Sequence, residues 1–241
     1  MDGGIARIET DVAPAIYRQE ITMQDIVAVL ADPIFTARVE QEWETINSDF
    51  AAAYDAMPVK HMARSELSFH SHIKLLAYLG LMANSMKGDI VEIGVWKGKS
   101  LTLMQRVSAP STKMIGVDPF ELRGQVEEVK YFHKHLYPTC HLIQGYSHNA
   151  IARVVEISKA FKLLHIDGGH LSEHVWADFL LYERFVVPGG FIVFDDYGDV
   201  THSPEVGPAV DRLREQGLFA DYETIGVLPG FENSYVLRRK M

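Results

Sequence analysis

From Asp89 onward, short runs rich in Val, Ile and Leu alternate with longer amphipathic segments, and this alternation limits what the chain can fold into. Strands are predicted over 89–94, 113–118, 140–144, 161–167 and 190–195, and helices over 99–107, 122–136, 148–158 and 172–186. A helix over 205–216 and strands over 221–227 and 233–239 follow. Strands this apolar are buried on both faces. Strand–helix alternation implies a doubly wound, Rossmann-like parallel sheet, here α/β with seven strands. Only Leu228 to Glu232, containing Pro229 and Gly230, separates the last two strands. That connection is hairpin-sized, so the final strand should run antiparallel.

The region before Asp89 reads as helical. Ile26, Val27, Val29, Leu30, Ile34, Phe35, Val39 and Trp43 predict two helices broken near Pro33. Ser65 to Asn84 predicts another, with Leu67, Ile73, Leu76, Leu79 and Leu81 among its apolar positions. Residues 1–20 show no strong period. Residues 1–84 are therefore expected to be a helical extension that covers the active-site edge or forms a subunit contact, as in a homodimer. Residues 85–241 are expected to be the cofactor-binding domain.

Composition excludes several classes. The net charge is −9 and the basic residues form no stripe, which disfavours a nucleic-acid partner held by its phosphates. No apolar run approaches the ~20 residues of a membrane helix. Leu75 to Met82 is too short and too far inside to be a signal peptide, and Asp2, Glu9 and Asp11 replace the basic start such a peptide needs. A cytoplasmic protein with no membrane partner is expected. Cys140 is the single cysteine, so no internal disulfide forms.

The first strand ends in Ile90-Val91-Glu92-Ile93-Gly94-Val95-Trp96-Lys97-Gly98-Lys99-Ser100, a glycine-bearing turn that opens a helix. Glycines let backbone approach a ligand, and the helix start offers free N–H groups to an anion. The Gly-x-Gly-x-x-Gly of a dinucleotide site is absent. A P-loop needs four residues between its glycines, whereas Gly94 and Gly98 enclose three, although Gly98-Lys99-Ser100 and the strand Phe191-Ile192-Val193-Phe194-Asp195 otherwise suit one. The pattern resembles S-adenosylmethionine-dependent methyltransferases better. These carry an acid two residues before the first glycine, here Glu92, and another at the end of the second strand to receive the ribose hydroxyls, here Asp118. The cofactor set expected from this reading is Glu92, Gly94, Trp96, Gly98, Ser100 and Asp118, joined by Gln144, Gly145 and Ser147 at the third strand and by Asp167. Ser147 as a helix N-cap explains its own position nearly as well.

Two later strands end in polar clusters, His165-Ile166-Asp167-Gly168-Gly169-His170 and Phe194-Asp195-Asp196-Tyr197. Both should emerge on the cofactor edge. Converging carboxylates repel one another, and a divalent cation resolves the repulsion. Oxygen donors suit magnesium, calcium or manganese better than zinc. Adjacent strand residues face opposite ways, so Asp195 and Asp196 share a cation only if the strand ends at them. In the alternative, Asp196 caps a loop and Asp195 alone faces the site.

The run Gly88 to Gly98, with Ile166-Asp167-Gly168-Gly169-His170 and Pro188-Gly189-Gly190 through Asp195-Asp196-Tyr197, resembles the macrocin O-methyltransferase family over about residues 65–240. That resemblance implies magnesium-dependent O-methylation of a small hydroxylated molecule, a sugar or secondary metabolite. It implies a metal at Asp167, Asp195 and Asp196, and His170 as general base beside Asp167. The rival expectations are a metal-independent methyltransferase and a P-loop-like nucleotide-binding protein.

Overall fold

The computed structural model describes residues 23–61 and 72–241. Its strands are β1 (Asp89–Ile93), β2 (Met114–Asp118), β3 (His141–Gln144), β4 (Phe161–Ile166), β5 (Val186–Phe194), β6 (Tyr222–Leu228) and β7 (Phe231–Arg239). Its helices are α1 (Met23–Leu30), α2 (Pro33–Ala56), α3 (Ile73–Met82), α4 (Lys99–Val107), α5 (Gln125–Leu136), α6 (Ser147–Ile157), α7 (Ser172–Tyr182) and α8 (Val206–Glu215). The seven strands form one sheet in the order β3-β2-β1-β4-β5-β7-β6. β1 to β5 are parallel, and β7 runs antiparallel to both β5 and β6, as the short 228–232 connection requires.

Alternate residues along each strand enter different cores. Ile90, Met114, Leu163, Phe191 and Val193 face one core with α1 to α5. Val91, Ile115, Leu164, Ile192 and Phe194 face the other with α6 to α8. This is the period-two pattern of a sheet covered on both faces. The N-terminal helices thus share a core with the sheet. In α2 the buried residues Phe35, Val39, Trp43, Ile46, Phe50 and Tyr54 recur at helical spacing. Phe50 packs on Phe132 and Tyr137, at centroid distances of 5.0 and 6.1 Å.

Pro33 separates α1 from α2 because it opens the second helix, with Asp32 as cap accepting from Ile34 N at 2.8 Å and Phe35 N at 3.0 Å. The helix expected from Ser65 is described only from Ile73; Leu67, like residues 1–20, lies outside the described residues. β5 begins earlier than expected, at Val186, and its pairing with β4 shifts register where Pro188-Gly189-Gly190 intervene. Among the described residues, no helix is long and apolar enough to cross a membrane.

Candidate active site

Chain order reverses between β1 and β4, so their carboxyl ends flank a crevice. Past Ile93 the backbone stays paired on both sides: Gly94 N donates to Val117 O at 2.9 Å, and Asp167 N donates to Ile93 O at 2.8 Å. A Cβ on Gly94 would overlap the Asp167 carbonyl oxygen, and φ there is +88°. Close packing against the exit of β4 is therefore itself a reason for this glycine, apart from any ligand.

Asp118 fastens the turn from the neighbouring strand. Its Oδ2 accepts from Val95 N and Trp96 N, each at 2.9 Å, and its Oδ1 accepts from Phe120 N at 2.6 Å. A carboxylate has about four acceptor positions, so Oδ1 keeps one for an incoming hydroxyl. Burial pushes the Asp118 carboxyl above its ordinary pKa, and the three N–H bonds pull the other way.

A cleft of about 1230 Å³ opens along this edge. Of the residues expected to form the site, Gly94, Trp96, Ser100, Asp118, Gly145, Ser147, Asp167, His170, Asp195 and Asp196 line it. Glu92, Gly98 and Gln144 do not. Glu92 is wholly buried in the sheet, with Oε1 3.0 Å from His165 Nδ1. Gly98 caps α4 at φ +88°, and its Cβ position is filled by the Tyr137 ring. Gln144 is exposed on the marginal strand β3. Ser147 is the first residue of α6, not its cap, and its side chain opposes the rise in the Asp178 pKa.

Several lining residues were not foreseen. Trp43 comes from α2, His72 and Ile73 from the start of α3, and Asp178 from α7. Asp178 is buried, and desolvation raises its pKa to about 6. The one signal for it was an acid on the apolar stripe Val175-Asp178-Phe179-Tyr182. His72 lies about a hundred residues from the acids it meets, and no local pattern marks it.

β5 ends at Phe194, and Asp195 N still donates to Ile166 O at 2.9 Å. Asp196 then turns at φ +60°. The two acids consequently diverge. Asp195 Oδ2 stands 3.1 Å from His72 Nδ1, and its Oδ1 accepts from Ser234 Oγ at 3.3 Å. Asp196 Oδ2 stands 3.1 Å from His170 Nε2 and accepts from Ser203 Oγ at 2.8 Å. Asp167 belongs with both: to His72, His165 and Asp195 on the buried side, and to His170 and Asp196 on the open side, with ligand atoms within 4.8 Å in each group. Desolvation, then Asp195 and Asp196, hold the Asp167 carboxyl well above its ordinary pKa, and desolvation chiefly raises Asp195 to about 6. Carboxylates raised in this way fit a site completed by a cation. Among the described residues, the non-glycine positions with positive φ are Trp96, Phe120 and Asp196. Trp96 and Asp196 line the cleft and Phe120 lies between two lining residues, so backbone strain gathers at this edge.

The profile of a family described as a methyltransferase domain matches residues 91–197, the span from β1 to just past these acids. The protein of Acanthamoeba polyphaga mimivirus named uncharacterized protein R132 is 37% identical over 176 residues, which cover 67% of this chain and 77% of that protein. The chain belongs to the methyltransferase family. The enzyme class expected from the sequence, an S-adenosylmethionine-dependent methyltransferase, stands. Solved structures share the fold. The O-methyltransferase NovP is 18% identical, with a TM-score of 0.60 over 84% of this chain and 100% of that one. MycE, a methyltransferase of the mycinamycin pathway solved with Mg, SAH and mycinamycin VI, is 15% identical, with a TM-score of 0.52 over 80% of this chain and 53% of that one.

In this methyltransferase, Lys99 does not serve as a P-loop lysine. Its Nζ bonds Asn47 Oδ1 at 2.6 Å and sits over the rings of Trp43 and Phe50. Burial, with Lys97 adding to it, lowers the Lys99 pKa to about 8. The lysine tethers α4 to α2 beside the cleft instead of lying free to meet a phosphate.

Proposed function

We propose that this methyltransferase moves the methyl group of S-adenosylmethionine to a hydroxyl of a small cytoplasmic molecule of sugar or secondary-metabolite type, assisted by a divalent cation such as magnesium. The observation that carries the reading is the continuity of the cleft, from the turn fastened by Asp118 to Asp167, Asp195, Asp196 and His170. The macrocin-like motifs and the named activities of NovP and MycE support it.

The donor set fits the two groups. Oδ1 of Asp118 retains an acceptor position for a ribose hydroxyl, and the start of α4 borders the cleft at Lys99 and Ser100. Asp167, Asp195 and Asp196 are crowded acids that a cation would neutralise. When bound, the sulfonium supplies an electrophilic methyl, and the cation favours the ionised form of the acceptor hydroxyl. His170 lies half-exposed at the mouth; with Nε2 turned to Asp196, it takes the hydroxyl proton at Nδ1. With the cofactor held by Asp118 and the turn after β1, transfer would join the acceptor oxygen to the methyl carbon as its bond to sulfur breaks, with a neutral thioether as the leaving group. Cleft walls from α2 and α3, through Trp43 and Ile73, exclude water and hold the acceptor in line.

The metal-independent reading is favoured by one observation: Asp195 and Asp196 already have His72 and His170 as partners. Calorimetry with S-adenosylmethionine, followed by transfer to a panel of hydroxylated acceptors with magnesium or with EDTA, tests both. Absence of cofactor binding overturns the function. Full turnover in EDTA selects the metal-independent form.

A further inference from the structure

We propose that His72, His165, Asp167 and Asp195 form a mixed nitrogen–oxygen site for a first-row transition cation, and that Glu92 orients it from behind. The proposal deepens the cation-assisted reading above and rests on it.

Register creates the site. Glu92 on β1 and His165 on β4 are direct partners in the parallel ladder, and both are wholly buried. Glu92 Oε1 lies 3.0 Å from His165 Nδ1. A neutral imidazole that donates through Nδ1 keeps a lone pair on Nε2. That Nε2 is buried and has no hydrogen-bond partner among the described residues. Leaving a buried polar atom unpaired is costly. A histidine held by a carboxylate on one nitrogen and open on the other is how proteins prepare a metal ligand.

The remaining donors stand where such a ligand needs company. Each of His72, His165, Asp167 and Asp195 offers one ligand atom within 4.8 Å of the others. His72 Nδ1 and Asp195 Oδ2 are 3.1 Å apart. Two ligands at right angles, each about 2.1 Å from one ion, would be about 3.0 Å apart. Glu92 and Asp195 also place carboxylates in the interior, and a cation compensates them. Two imidazoles among four donors suit manganese, iron, cobalt or zinc, whereas magnesium takes oxygen and water. Glu92, expected from the sequence to touch the cofactor, is on this argument a positioning residue for His165.

The test uses the full chain, stripped with EDTA and titrated with Mn²⁺. Pulsed electron paramagnetic resonance on the wild-type complex should show nitrogen couplings from imidazole, and equimolar Mg²⁺ should fail to displace the ion. Glu92→Gln should weaken Mn²⁺ binding about 10–100-fold, as loss of an outer-shell partner does. The nitrogen signal, retained in His170→Ala, decides the matter even where the Glu92 variant does not fold, and its loss in His170→Ala overturns the mixed site. Bound Mn²⁺ without nitrogen coupling, displaced by equimolar Mg²⁺, overturns the mixed site and leaves the carboxylate-based reading standing. No bound Mn²⁺, with full turnover in EDTA, overturns both.

Discussion

Trp96 donates its backbone N–H to Oδ2 of Asp118 at 2.9 Å, joining the turn after β1 to the end of β2. The same carboxylate also holds Val95 and Phe120. Asp118→Ala would leave all three N–H donors without their acceptor, and a hydrogen bond to a charged group is worth about 1.5–3 kcal/mol. We expect a lower Tm together with at least tenfold weaker S-adenosylmethionine binding by calorimetry. Asp118→Asn keeps acceptor oxygen and should fall between. An unchanged Tm in Asp118→Ala would show that the fastening contributes nothing.

Gly94 and Gly217 both have positive φ, +88° and +76°, but only Gly94 has backbone where a Cβ would go. Gly217→Ala therefore measures the conformational cost alone, about 1–2 kcal/mol. Gly94→Ala adds collision with the Asp167 carbonyl and should cost several kcal/mol or prevent folding. Equal destabilisation of the two variants in urea melts would contradict the close packing of the turn on β4.

The central strands β1, β2 and β4 were legible because each is a short apolar run, and the carboxyl-edge acids because they sit at strand ends. Residues whose roles depend on pairing were not. Glu92 precedes the glycine turn, yet ladder register sets it opposite His165 and inside the sheet. Asp195 and Asp196 looked like one unit, and the left-handed turn at Asp196 sends their carboxylates to different histidines. His72 reaches Asp195 only because α3 packs over the sheet, a contact without local sequence signal.

Asp178 should make stability fall with rising pH. Desolvation raises its folded pKa to about 6, from 3.8. Between those values the folded state holds more proton than the unfolded one, so stability declines as pH rises through the window, and the full cost stands above pH 6. The shift corresponds to roughly 2–3 kcal/mol. Asp178→Asn removes the charge and keeps an acceptor for Ser147. The variant should melt higher than wild type at pH 7.5 and no higher at pH 4. A constant difference across that range would mean another group sets the dependence.

His170 and Asp196 provide the sharpest division between chemistry and binding. Asp196 Oδ2 receives Ser203 Oγ at 2.8 Å and faces His170 Nε2 at 3.1 Å. The carboxylate thus fixes the imidazole at the mouth of the cleft, while the turn that would hold the cofactor lies across it at β1. A general base contributes about 10²–10⁴ in rate. His170→Ala should lower kcat by that order with cofactor affinity unchanged. Its loss should be relieved as pH rises, because a hydroxyl that ionises in solution no longer needs the base. Asp196→Asn should lower kcat at least as much, since it removes both the partner of His170 and one of the carboxylates assigned to the cation. Ser203→Ala frees the carboxylate to move and should fall nearest to wild type. Steady-state kinetics across pH 6 to 10, with calorimetry on the same preparations, gives this ranking. A His170→Ala enzyme with wild-type kcat throughout would remove the histidine from the proton's path.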